Sequence, residues 1–169
     1  MIQRALTALQ ADAKQLTAVR HQFNHYYQQT INHGTVLYPH VTHTLATLAE
    51  RHYPLAIVTN KPSQFIPALL QSLQIDRYFS LVLGGDDVVK QKPHPAPLYQ
   101  VLATFGLKAN ELLFVGDSRN DILAARQATC PVAALSYGYN YGESIALSQP
   151  DHILDHFEQL LTVIESYYE

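Results

Sequence analysis

The sequence predicts an α/β protein built on a doubly wound parallel sheet and preceded by one or two helices. From Leu55 onward, short runs of Val, Ile and Leu alternate with segments whose apolar residues recur every three or four positions. The runs are apolar at consecutive positions, as strands buried on both faces are. The stretches between them can each hold a helix, and strands joined through helices lie parallel.

From Ile2 to about Tyr27, the residues Ile2, Leu6, Leu9, Leu16, Val19 and Phe23 fall at helical spacing, which predicts one or two amphipathic helices. Gly34 breaks this pattern, and Pro39 opens a helix carrying Val41, Leu45 and Leu48. The strand "LAIVTN" comes next, then a helix with Phe65, Ile66, Leu69, Leu70 and Leu73, then the strand "SLVLGGDD". A helix with Leu98, Val101, Leu102 and Phe105 leads to the strand "ELLFVGD" and an alanine-rich helix near Asp121 to Ala128. The strand "PVAALSYG" and a last helix around Ile153 to Ile164 complete the series. No internal repeat or low-complexity tract interrupts it.

With 169 residues, one core is expected. The chain is 47% hydrophobic and 15% charged with a formal net charge of -3 and no block of like charge, which excludes disorder and a nucleic-acid footprint and leaves a small molecule as the expected partner. Cys130 is the only cysteine, so no intrachain disulfide can form and a reducing, cytoplasmic setting is expected, with the thiol buried and inert. The opening "MIQRALTALQADAKQL" lacks the apolar stretch of a signal peptide, and no run reaches membrane-spanning length, so no membrane partner is expected.

In doubly wound sheets ligands bind beyond the carboxyl ends of the strands, so the residues just after each apolar run are the candidates for a site. After the first run stand Thr59 and Asn60, whose hydroxyl and amides at a helix start can hold a phosphate oxygen; N-capping is the plainer use of the same residues. Lys92, fixed by Pro93, can aim an ammonium across the strand ends; a solvated lysine is the plainer reading, and Lys90 is a less constrained rival. Asp117 at a strand end suits a magnesium ion, which takes only one or two protein carboxylates. Asp121, one helical turn on, can orient Lys92 or a metal-bound water, while spacing alone allows equally that Asp117 or Ser118 caps the helix and Asp121 complements its dipole. A phosphoryl group in transfer needs a hydroxyl or amide clamp, a fixed cation and a metal; Thr59, Lys92 and Asp117 supply all three from consecutive crossovers. A nucleophile is lacking.

The order Thr-Asn, Lys-Pro, Gly-Asp-x-x-x-Asp resembles the second, third and fourth motifs of the haloacid-dehalogenase-like hydrolases, which share a Rossmann-like core. "VTNKP", "GGDD", "KPHPAPLY", "FVGDSRND" and "YGYNYGE" are similar in particular to the bacterial phosphoglycolate phosphatases, from about Gly34 to Pro150. The resemblance implies hydrolysis of 2-phosphoglycolate to glycolate and phosphate through an aspartyl-phosphate, with Mg2+. It implies Thr59 and Asn60 as phosphate binders, Lys92 as the charge-neutralising lysine, Asp117 as the magnesium ligand and Asp121 as its supporting acid. The family's nucleophile lies in a first motif, an apolar strand ending in Asp-x-Asp, and no aspartate among the 169 residues has that setting. Residues 1–38 then correspond to a partial helical cap and 39–169 to the hydrolase core, with the first strand expected upstream of Met1. That strand is central in the family's sheet, so a gap, or direct pairing of the strands beginning near Leu55 and Glu111, is expected, and the chain alone is expected to be inactive.

A receiver-type signalling domain would place its acidic pair after the first strand and its lysine last, the reverse of the order here. Haloacid dehalogenation would need the same absent aspartate and has no use for magnesium. A catalytically inactive truncated module, pairing with itself as a homo-oligomer or with a missing segment, is the remaining alternative. His21 with His25 and His40 with His43 lack a further ligand and read as solvated helix faces, while His94 is expected near the cleft. Tyr137, Tyr139 and Tyr141 alternate with Gly138, Asn140 and Gly142 in a packed turn or a loop bordering the cleft.

Overall fold

The computed structural model describes residues 13–30 and 34–168. The chain divides into two compact units, Met1–Val36 and Leu37–Glu169. In the first, α1 spans Ala13–Thr30, with Phe23 and Tyr27, one turn apart, stacked at 5.3 Å. Ile2, Leu6 and Leu9, expected on the same helical pattern, lie outside the described residues.

The second unit holds five strands, β1 (Ala56–Val58), β2 (Leu81–Leu83), β3 (Phe114–Gly116), β4 (Val132–Leu135) and β5 (His152–Leu154). Its helices are α2 (Val41–Glu50), α3 (Ile66–Ser72), α4 (Ala96–Phe105), α5 (Arg119–Gln127) and α6 (Gln159–Tyr168). Every strand pairing is parallel, as the alternating pattern requires. Among the described residues no helix is long and apolar enough to cross a membrane.

Helix boundaries follow local chemistry. In α2, Leu45 and Leu48 are buried at helical spacing, and the turn Pro39–His40 precedes it. Pro97 is tolerated in the first turn of α4, where its missing N–H has no intrahelical partner to lose. That helix stops at Gly106, whose φ of +68° is open to glycine, and Leu107 N donates back to the Leu102 carbonyl at 2.9 Å.

Strand β4 shows why the sheet is covered on both faces. Val132 and Ala134 pack with Leu98 of α4 and with Ile122, Ala124 and Ala125 of α5, while Ala133 between them joins Leu48 of α2 and Leu160, Val163 and Ile164 of α6. The two-residue period of the strand sends alternate side chains to opposite helical layers.

The stretch expected to open the last helix behaves differently. Ile153 lies in β5, an edge strand in register with β4 through Ala134, and α6 begins only at Gln159. The aspartates that flank this stretch tie the edge strand to β4: Asp151 accepts from Val132 N at 2.8 Å and Asp155 from Ser136 Oγ at 2.6 Å.

The sheet is not continuous. Among the described residues β1 pairs only with β2, and β3 pairs with β4 and through it β5, so the expected gap is realised and direct pairing of β1 with β3 is not. Between the two halves lies a cavity of about 530 Å3, lined by Ala56, Val58, Leu113 and Val115 from the facing strands and by helix residues including Leu48 and Leu98.

Candidate active site

Lys92 stands where the two half-sheets come closest chemically. Its ammonium donates to the carbonyl of Val58, the last residue of β1, at 2.7 Å, and pairs with Asp121 Oδ1 of α5 at 2.6 Å. The pair is largely shielded from water, with side chains 11% and 7% exposed. Breaking it from one side would leave a charge buried without its partner, a costly state. The backbone around Lys92 is held too: Asn60 Nδ2 donates to its carbonyl at 2.8 Å, and its N–H donates to Asn60 Oδ1 at 3.0 Å. Lys90, the rival, is exposed.

Asp121 serves both uses that spacing left open. Oδ1 takes the Lys92 ammonium, while Oδ2 accepts from Ser118 N at 3.0 Å and Ser118 Oγ at 2.6 Å, the reach back to the helix start that a capping carboxylate makes. Asp117 N lies 3.3 Å from the same oxygen. Asp121 thus orients the lysine and the loop at once.

Asp117 has a different environment. Its Oδ2 accepts from Tyr139 N at 2.9 Å, and its other oxygen has no hydrogen-bond partner among the described residues. Two glycines allow this crowding. A Cβ on Gly138 would run into Asp117, and one on Gly116 would run into Asp121. Asn140, buried, locks the tyrosine loop to the acidic loop by accepting from Arg119 N at 2.9 Å and donating to the Glu143 carbonyl at 3.1 Å. Ser118, Gly116, Gly138 and Asn140 thus shape the site, although only Ser118 carried a signal readable in sequence, its place three residues before Asp121. Tyr137 packs edge-on against Tyr38 at 4.7 Å, and burial raises its phenol pKa.

Thr59 continues β1, its N–H donating to the Leu83 carbonyl at 3.0 Å, and its hydroxyl oxygen accepts from Lys61 N at 3.1 Å. The hydroxyl proton stays available to an anion. The expected helix start is not at Thr59 and Asn60: a short 3-10 turn begins at Ser63 and α3 at Ile66, because Pro62 and the Asp86 carboxylate set the start. Asp86 Oδ1 accepts from Ser63 N at 2.6 Å, and that bond holds its pKa below the usual carboxylate value. The Asn60 side chain is spent on the Lys92 backbone, leaving its N–H as its contribution to an anion site. His94 accepts from Ala96 N at 3.1 Å and so helps start α4.

Among the described residues no group of three or more His, Cys, Asp or Glu side chains is placed to hold a metal. Magnesium does not need one: it keeps several waters and takes one or two carboxylates plus phosphate oxygens. The unpartnered oxygen of Asp117, just past the end of β3, fits that partial donor set.

Comparison with known proteins gives the family. The family profile "Haloacid dehalogenase-like hydrolase" matches residues 2–135. A phosphoglycolate phosphatase of Photorhabdus laumondii is 56% identical over 169 residues, covering 97% of this chain and 71% of that protein. One from Yersinia pestis is 52% identical over 166 residues, covering 97% and 72%. A solved structure from Haemophilus somnus 129PT, described as a predicted phosphoglycolate phosphatase, superposes with a TM-score of 0.87 at 43% identity, covering 90% of this chain and 68% of that one. The chain belongs to the haloacid dehalogenase-like hydrolase family.

Proposed function

We propose that this chain carries the phosphate-clamping and magnesium-holding part of a cytoplasmic phosphomonoesterase that converts 2-phosphoglycolate to glycolate and phosphate through an aspartyl-phosphate. The observation that carries this reading is the Lys92 ammonium, held at 2.6 Å from Asp121 and 2.7 Å from the end of β1. A buried, oriented cation at that point neutralises charge on a phosphoryl oxygen and on an attacking carboxylate alike. Thr59 supplies a hydroxyl donor and Asn60 an amide, Asp117 is the ligand for Mg2+, and residues 1–38 belong to a helical cap. The bound ion would withdraw negative charge from the phosphoryl oxygens. Substrate identity rests on the similarity to phosphoglycolate phosphatases of 52 to 56% identity.

The attacking aspartate and its acid-base partner are absent from this chain, so the purified protein binds but does not turn over. In NMR titrations, 2-phosphoglycolate with Mg2+ should shift the amide resonances of Thr59, Asn60 and Asp117, and Lys92→Ala should weaken binding at least about tenfold, the worth of one charge-assisted hydrogen bond. Absence of any shift at these residues would sink the phosphatase reading. Magnesium-dependent release of phosphate by the unaided chain, abolished by Asp117→Asn, would sink the claim of inactivity.

A further inference from the structure

We propose that Asn140 is a positioning residue for Asp117: through the Tyr139 N–H it confines the carboxylate to ligation by one oxygen, so that the site selects Mg2+ against Ca2+. The inference rests on the reading of Asp117 as the magnesium ligand and adds how the ion is chosen. Two adjacent residues of the loop after β4 meet the acidic loop after β3. Tyr139 N donates to Asp117 Oδ2 at 2.9 Å, and Asn140 Oδ1 accepts from Arg119 N at 2.9 Å. Oδ1 of Asp117 has no hydrogen-bond partner among the described residues and is the oxygen left for a cation.

Asn140 holds the Tyr139 N–H in this place. It is only 8% exposed, so its amide needs partners at both ends. Oδ1 has Arg119 N, and Nδ2 donates to the Glu143 carbonyl at 3.1 Å. Glu143 N donates back to the Asn140 carbonyl at 2.9 Å, which closes a four-residue turn with Tyr141 at φ +55° and Gly142 at φ +83°. A tyrosine in the left-handed region is strained, and the doubled closure between Asn140 and Glu143 keeps it there. On the other side of Tyr139, Gly138 lets the loop approach, since a Cβ at that position would run into Asp117. The direction of the Tyr139 N–H is thus fixed from both sides.

Ion chemistry supplies the consequence. Mg2+ demands near-octahedral geometry at about 2.1 Å and is served by single carboxylate oxygens and waters. Ca2+ takes roughly six to eight oxygens at about 2.3–2.6 Å, often both oxygens of one carboxylate. A carboxylate with one oxygen already bonded to a backbone N–H suits the first ion and withholds its second oxygen from the other.

The test is NMR titration of the full chain with Mg2+ and, separately, with Ca2+, following the Ser118 and Tyr139 amides, with Asp117→Asn as control. The wild-type chain should bind Mg2+ more tightly than Ca2+. Saturating Mg2+ should leave hydrogen exchange at Tyr139 unchanged, whereas saturating Ca2+, which draws on both oxygens, should speed it at least about tenfold. Asn140→Ala should cut the ratio of Mg2+ to Ca2+ affinity about tenfold, the worth of one charge-assisted hydrogen bond. Should that variant fail to fold, Tyr139→Pro removes the N–H itself and should cut the same ratio, and the wild-type exchange measurement needs no variant. A turn with a structural role alone would weaken both ions alike. An unchanged ratio in the folded variant, or Tyr139 exchange unaffected by saturating Ca2+, overturns the proposal and leaves the magnesium reading standing. If neither ion shifts Ser118, or if Asp117→Asn binds Mg2+ as the wild type does, the magnesium reading of Asp117 falls and this inference falls with it.

Discussion

The two half-sheets of the core differ in how completely they are closed. β4 has neighbours on both edges and helices on both faces, and Val132, Ala133 and Ala134 are fully shielded from solvent. β1 and β3 are as apolar as β4, yet every residue in them is only half-buried, because each borders the cavity with one edge. Apolar character in a strand thus records the burial it is built for. It does not say whether the burying element is present. Across the gap, the described polar link at the strand ends is Lys92, bonded to β1 on one side and to α5 on the other.

Cutting that link should have the largest effect. Asp121→Ala leaves the ammonium buried without its carboxylate and removes the acceptor for Ser118, so a loss of ~3–5 kcal/mol is expected in urea unfolding. A loss below about 1 kcal/mol would mean the half-sheets are held together by packing alone. Next, the same truncation should cost different amounts on the two sides. Val132→Ala in the closed half should lose ~2 kcal/mol, and Val115→Ala beside the cavity less than about 1 kcal/mol. Equal losses would show that the slot is closed in solution.

Gly138→Ala, which pushes a methyl into Asp117, should cost ~1–2 kcal/mol and weaken Mg2+ binding measured by calorimetry. The smallest effect is at Cys130 in the closed half, whose thiol burial pushes up from about 9 to about 11. A folded-state pKa raised in this way contributes stability below pH 9 that is lost as pH rises toward 11. Iodoacetamide at pH 8.5 should therefore modify the urea-unfolded chain and spare the native one.

Much of this was legible in the residues. Four of the five strands and the parallel arrangement follow from consecutive apolar runs separated by helical patterns. β5 did not announce itself, because Ile153 falls at helical spacing with Phe157, Leu160 and Ile164, and only pairing with β4 makes the stretch a strand. The helix start misplaced at Thr59 and Asn60 depends on Asp86, 23 residues beyond Ser63, which no local pattern reveals. Gly116 and Gly138 carry no local signal of their importance, which is the proximity of Asp121 and Asp117.

By itself, the sequence determined the residue types of the candidate site, their order along the chain and the class of fold, because hydrophobic period and strand-end chemistry are local properties. Tertiary structure alone decided that Asp121 holds Lys92 and its own helix start at once, that Asp117 keeps an oxygen unpartnered among the described residues, and that β1 and β3 stand apart around an apolar slot. The physical reason is that pairing, shielding and empty volume are relations between segments far apart in the chain, and no single segment contains them.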